Sequence, residues 1–81
     1  MLYPLQIRAA RALLSMSQQE LARRSGVGLA TIKRIEAAGS ELTGTAQRLF
    51  RIQKALEAAG IAFIDEDDRQ GPGLRLKRPL P

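Results

Sequence analysis

The chain has 81 residues, with thirteen Lys and Arg against eight Asp and Glu, a formal charge of +5, and neither Cys nor His. That length suits one small domain and leaves no room for an enzyme built round a deep pocket. The missing side chains exclude disulfides, thiolate or imidazole metal ligands and the usual general base, so a binding module without cofactor or metal is expected. No apolar run approaches the roughly 20 residues that span a bilayer, and the start lacks a signal-peptide pattern, which places the protein away from membranes and in the cytoplasm. Nine basic and four acidic residues precede Gly60 and four of each follow it. The positive excess therefore belongs to the first part of the chain, as a polyanionic partner would favour.

Met1 to Tyr3 reads as a loose lead-in, and Pro4 suits the first turn of a helix, where its missing N–H is not needed. That helix runs to about Leu14, with Ile7, Ala10 and Leu14 inward and Arg8 and Ala12 outward. Arg11 flanks the buried face, and spacing alone reads it as a solvated side chain. Ser15 and Met16 form a short connection, with Met16 as a core plug. Ser17 and Glu20 have the spacing of a capping box, which sets the start of the next helix. Leu21 and Ala22 lie on its inner face, Arg23 and Arg24 suit the negative end of its dipole, and Gly26 tolerates the positive φ of a sharp exit. Val27 fills the corner. From Leu29 a further helix turns Ile32 and Ile35 inward and Lys33 and Arg34 away, so a short helix presents a basic side outward.

After a loop over Gly39 to Gly44, Thr45 to Ala59 forms a fourth helix with Leu49, Ile52 and Leu56 inward and Gly60 at its end. Phe50 lies off the main stripe, as either peripheral core or an interface residue. Ile61 to Ile64 is apolar, Asp65 to Gly73 is turn-rich and Leu74 to Lys77 alternates, which spells a β-hairpin. Its connection is long, so the tip is expected to be mobile, and Arg78 to Pro81 is expected to fray. The acidic run Asp65 to Asp68 reads as a solvated turn, because Gln70 and Leu76 stand where a calcium loop needs Gly and Glu. The fold class is mainly α: four helices over residues 1–60, then a C-terminal β-hairpin and tail over 61–81.

Gln18, Glu20-Leu21-Ala22, Gly26-Val27, Thr31-Ile32 and Ile35-Glu36 together resemble the Cro and phage-repressor type of helix-turn-helix, the XRE family. The resemblance covers roughly residues 5 to 60. Small Ala22, turn Gly26 and apolar Val27, Ile32 and Ile35 must keep register for two helices to cross closely. The resemblance implies a repressor-like domain on double-stranded DNA, with the second helix of the motif in the major groove. It implies that Leu29, Ala30 and Arg34 face base edges with Lys33 beside them, that Gln18 sits on phosphate, and that Gly28 and Thr31 complete the DNA-binding set. It also implies a structural ion pair between Arg11 and Glu36. Where relatives often carry a polar cap and Gln or Arg readers, this chain has Gly28, Leu29 and Ala30, so readout leans on apolar contact with thymine methyls. The loop Ser40 to Gly44 lacks the basic residues that some relatives place against the DNA backbone.

The expected function is a sequence-specific DNA-binding transcriptional regulator, a repressor acting as a homodimer on a two-fold symmetric operator. The alternative is an antitoxin or other interaction module that binds a partner protein through its C-terminal segment. A lone hairpin is marginal and leaves edge groups unpaired, so the dimer contact is expected at Ile61, Phe63, Leu74 and Leu76, together with Phe50.

Overall fold

Helix α1 (Pro4–Leu14) starts at the proline, in a computed structural model that describes residues 2–38 and 44–81. Tyr3 is its N-cap, and Gln6, three residues on, accepts the Tyr3 N–H at 2.9 Å through Oε1 and donates Nε2 to the Gly73 carbonyl at 3.0 Å. Leu2 and Ile7, at the spacing of a hydrophobic staple, both enter the core. The lead-in is thus tied down at Leu2 and Tyr3 rather than loose. Ser15 ends α1 in the left-handed region (φ 54), and the Met16 N–H returns to the Arg11 carbonyl at 2.9 Å.

Helix α2 (Gln18–Ser25) begins under Ser17, whose Oγ accepts the Glu20 N–H at 3.0 Å. The reciprocal half of the capping box is not made. Arg24 takes the Glu20 carboxylate instead, through Nε at 2.8 Å, and Arg23 joins it one residue back along the same face. Those bonds, Arg24 first, hold the Glu20 carboxyl below the usual range. Gly26 closes the helix at φ 72, a backbone that a Cβ disfavours, and its N–H bonds the Ala22 carbonyl at 3.0 Å. Helix α3 (Leu29–Ala37) follows within three residues, too short a link for anything but a tight corner over buried Val27.

The expected loop from Gly39 to Thr43 lies outside the described residues. Thr45 Oγ1 accepts the Arg48 N–H at 3.2 Å and opens α4 (Ala46–Ala58). Strand β1 (Ile61–Ile64) then pairs antiparallel with β2 (Gly73–Leu76), Ile61 opposite Leu76 and Ile64 opposite Gly73. The connection carries a hydrogen-bonded turn of its own. The Asp67 carboxylate accepts the N–H groups of Arg69 and Gln70 at 2.8 and 2.7 Å, which holds its carboxyl below the usual range. Beyond β2 the chain is pinned once more: Lys77 donates its N–H to the Gly60 carbonyl at 2.8 Å and its Nζ to the Glu57 carbonyl at 2.7 Å.

The helices meet over Ile7, Ala10, Leu21, Val27, Ile32, Ile35, Ile52 and Leu56, all buried, and Ile61 belongs to the same cluster. The hairpin packs on α1 and α4, with Phe63, Leu74 and Leu76 half-buried against that cluster. One core therefore runs from α1 through the first residue of the hairpin. The four helices and terminal hairpin match the architecture expected of the sequence.

Candidate nucleic-acid interface

Three elements are fixed to one another by a single polar cluster. Arg11, on α1, donates Nε to Glu36 Oε2 at 2.7 Å and Nη2 to Glu36 Oε1 at 2.6 Å, and its Nη1 reaches the Met16 carbonyl at 2.9 Å. Gln18, at the start of α2, donates Nε2 to Glu36 Oε1 at 3.2 Å. Glu36 stands in the last turn of α3 with 3 % of its side chain exposed, and the Arg11 side chain is 19 % exposed. A carboxylate so deep needs donors on both oxygens, and the two-pronged guanidinium supplies one to each while Gln18 adds a second to Oε1. Hydrogen bonding to Glu36 raises the Arg11 pKa, against the opposing effect of burial.

With Ile32, Ile35 and Glu36 turned inward, the rest of α3 forms the outward face. Lys33 and Arg34 are exposed, Ala30 is exposed, and Leu29 and Thr31 are half-buried. Arg34 donates Nη2 to the Thr31 hydroxyl, one turn earlier, at 3.3 Å. That bond draws the guanidinium along the face toward the start of α3. At that start, Gly28 is the N-cap and supplies no side-chain acceptor, and no acidic residue stands in the first turn. The first N–H groups of α3 thus have no side-chain acceptor, and with exposed Lys33 and Arg34 one turn further on, helix dipole and formal charge both favour an anion on this side of the helix.

The sequence-expected residues divide into three groups. Gly28, Leu29, Ala30, Thr31, Lys33 and Arg34 share the exposed end and side of α3. Gln18, expected on phosphate, has its amide drawn to Glu36 and is tied to the ion-paired cluster, although an amide nitrogen keeps a second N–H for another acceptor. The residues expected at a dimer contact do not form one surface. Ile61 has no exposed area and cannot touch a second molecule; its side chain is spent on the core, where a half-polar hairpin buries its apolar face. Phe63, Leu74 and Leu76 face the same way and are half-buried, and Phe50 alone of the five presents most of its surface.

Several polar contacts outside the site brace the fold around it, tying α1 to the hairpin and closing the exposed side of α2. Gln6, Tyr3 and the Glu20 pairings with Arg23 and Arg24 were all signalled by spacing, since Gln6 lies three residues past the cap and both arginines lie within one helical turn of Glu20. The Tyr3 hydroxyl donates to Glu66 across the fold, a contact no local spacing announces. Its hydrogen bond to that carboxylate raises the Tyr3 pKa above the usual tyrosine value. Among the described residues no group of acidic side chains is arranged to hold a metal ion, and no helix is long and apolar enough to cross a membrane.

None of the curated proteins compared with the chain matches it. The helix-turn-helix family profile does, over residues 7–61, from the first helix through the first residue of the hairpin. That span takes in the ion-paired cluster, the α2 to α3 corner and the outward face of α3, and with it the chain belongs to the helix-turn-helix family of the Cro and phage-repressor type (XRE), a family of DNA-binding regulators.

Proposed function

We propose that the protein is a sequence-specific repressor that occupies a two-fold symmetric operator as a homodimer. One observation carries this reading: the outward face of α3 gathers Lys33, Arg34 and an uncapped helix start, while the side of the helix away from it is locked to α1 and α2 through Glu36. Phosphates position such a helix and base edges then select the sequence. Arg34 supplies the fork that bonds guanine O6 and N7, and Leu29 with Ala30 meets thymine methyl groups. Gln18 approaches phosphate with its remaining amide N–H. Occupancy itself represses, since bound protein and polymerase compete for the same duplex.

Two such faces in a dimer lie about 34 Å apart, so the operator is an inverted repeat with half-site centres about 10 bp apart. Selecting bound duplexes from a random pool measures the site, its symmetry and its spacing together. With about five phosphates neutralised per subunit, log affinity falls against log salt with a slope of about −4 to −5. Folded protein that enriches no sequence at low salt overturns the reading.

A further inference from the structure

We propose that the groove between the end of α2 and the outer face of α4 docks the acidic corner of the hairpin from a second copy of this chain, each copy giving and receiving the contact. The proposal rests on the reading of the protein as a homodimer and names the surfaces that meet.

Phe50 is 57 % exposed, the largest apolar side chain so displayed on any of the helices. It edges an open groove of about 360 Å³ with Arg24, Arg51, Lys54, Ala55 and Ala58. The Lys54 ammonium sits 5.2 Å from the centre of the ring, a cation over an aromatic face that remains open to solvent. Arg24 shares its charge with Glu20, and Lys54 lies 3.5 Å from Glu57. Arg51 has no ionic partner among the described residues, so the groove carries a positive excess around an apolar centre.

The hairpin presents the inverse of this surface. At the end of β1, Ile64 is 47 % exposed, and the exposed run Asp65, Glu66, Asp67, Asp68 follows directly. One surface sets an exposed aromatic ring among cations, and the other sets an exposed aliphatic side chain beside anions. No residue of this corner lines the groove of its own molecule. Apolar centres bordered by opposite charge select each other by attraction and by exclusion of like-charged alternatives.

A second copy is the occupant because the complement lies on the same chain. A groove of this size is small against the about 800 Å² per partner of a stable interface, so a single contact is weak. A two-fold arrangement makes the contact twice, residue i meeting j and j meeting i, and closes without leaving either surface free to recruit further copies.

The test is mass in solution by light scattering at micromolar protein, without DNA. Wild-type protein is expected to be dimeric. Arg51→Glu with Lys54→Glu reverses the groove, and Asp65→Lys, Asp68→Lys and Gln70→Lys together reverse the corner, taking the exposed run from Asp65 to Gln70 from a net −3 to +2 while keeping the Glu66 side chain for Tyr3 and that of Asp67 for its turn. Each reversed protein, checked as folded by circular dichroism, is expected to lose self-association by at least about tenfold. Mixed in equal amounts, the two are expected to form a heterodimer, because both contacts again join opposite charges. Monomeric wild-type protein overturns the proposal and returns the groove to another occupant, DNA or a different protein. Reversed proteins that dimerise like wild type, or a mixture that stays monomeric, overturn it as well. Since no duplex is present, these outcomes are independent of whether α3 reads DNA, and loss of duplex binding leaves the measured mass unchanged.

Discussion

Removing the Glu36 carboxylate tests whether the fold depends on the cluster that fixes α3. In Glu36→Ala the Arg11 guanidinium loses both of its charge-assisted bonds, at 2.6 and 2.7 Å, and keeps only the Met16 carbonyl. Gln18 loses its acceptor at the same time. At 19 % exposure Arg11 cannot recover full hydration without unpacking the junction of α1 and α3. Stranding a buried charge in this way costs about 3–5 kcal/mol, whereas a surface pair costs under about 1 kcal/mol. A domain of 81 residues has a total stability of about 4–12 kcal/mol, so the variant loses a large part of it. At about 4–8 °C per kcal/mol for a domain of this size, the melting midpoint falls by about 12 °C or more. Thermal and urea unfolding followed by circular dichroism measure this directly. The companion variant Arg11→Met with Glu36→Leu removes both charges together and is expected to recover most of the loss, since apolar replacement of a buried pair is often neutral. A Glu36→Ala midpoint within about 4 °C of wild type would refute the reasoning, as would a double variant no better than the single one.

The remaining predictions probe separate features. Arg34→Ala is expected to cost about 1–3 kcal/mol at one base position of the selected site and to relax the preference there; a uniform loss across all duplexes would make Arg34 a phosphate contact. Gly44 has φ 89, and a Cβ there would stand 3.1 Å from buried Ile35 Cδ1, so Gly44→Ala is expected to cost about 2–4 kcal/mol in chemical denaturation. Gly71 has open space around it and serves as the control, with Gly71→Ala within about 1 kcal/mol of wild type. Tyr3 is the one tyrosine in a chain without tryptophan, so its phenolate absorbance reports one group. Its folded pKa is raised by the bond to Glu66, so its contribution to stability is present below the unfolded value and is lost as pH rises through the folded one. The titration midpoint is expected above that of the unfolded chain, and Glu66→Gln is expected to bring it down.

Most of the helical scaffold was legible because it is written in local chemistry. Pro4, Ser17, Gly26, Thr45 and Gly60 each mark a terminus by a mechanism confined to a few residues, and the three- and four-residue spacing of Ile32 and Ile35 or of Ile52 and Leu56 names the inner faces. The errors fell where distance in sequence hides proximity in space. Leu2 and Tyr3 looked loose because their partners include Glu66, on the far side of the chain. Alternation in the hairpin says only that one face is buried, without saying whether a second molecule or the chain's own helices cover it, and here that face lies against α1 and α4. Asp67 looked like part of a solvated run, yet its carboxylate is the acceptor that builds the turn.

The outward face of α3 was legible by subtraction. Once Ile32, Ile35 and Glu36 are assigned to the interior, a helix of 100° per residue leaves Lys33 and Arg34 no direction but outward, whatever the rest of the fold does. Gln18 could not be assigned by the same route, because position on a helix constrains where a side chain begins and not which acceptor its amide chooses. Glu36 makes that choice here, and it can do so only because Arg11 has already brought a charged carboxylate into the interior beside the start of α2. The same carboxylate therefore links the stability of the domain to the placement of Gln18, the polar group expected on phosphate at the start of the first motif helix. Bonded to Arg11 from α1 and to Gln18 from α2, a carboxylate on α3 joins three helices at one point, so a change at Glu36 reaches all three at once.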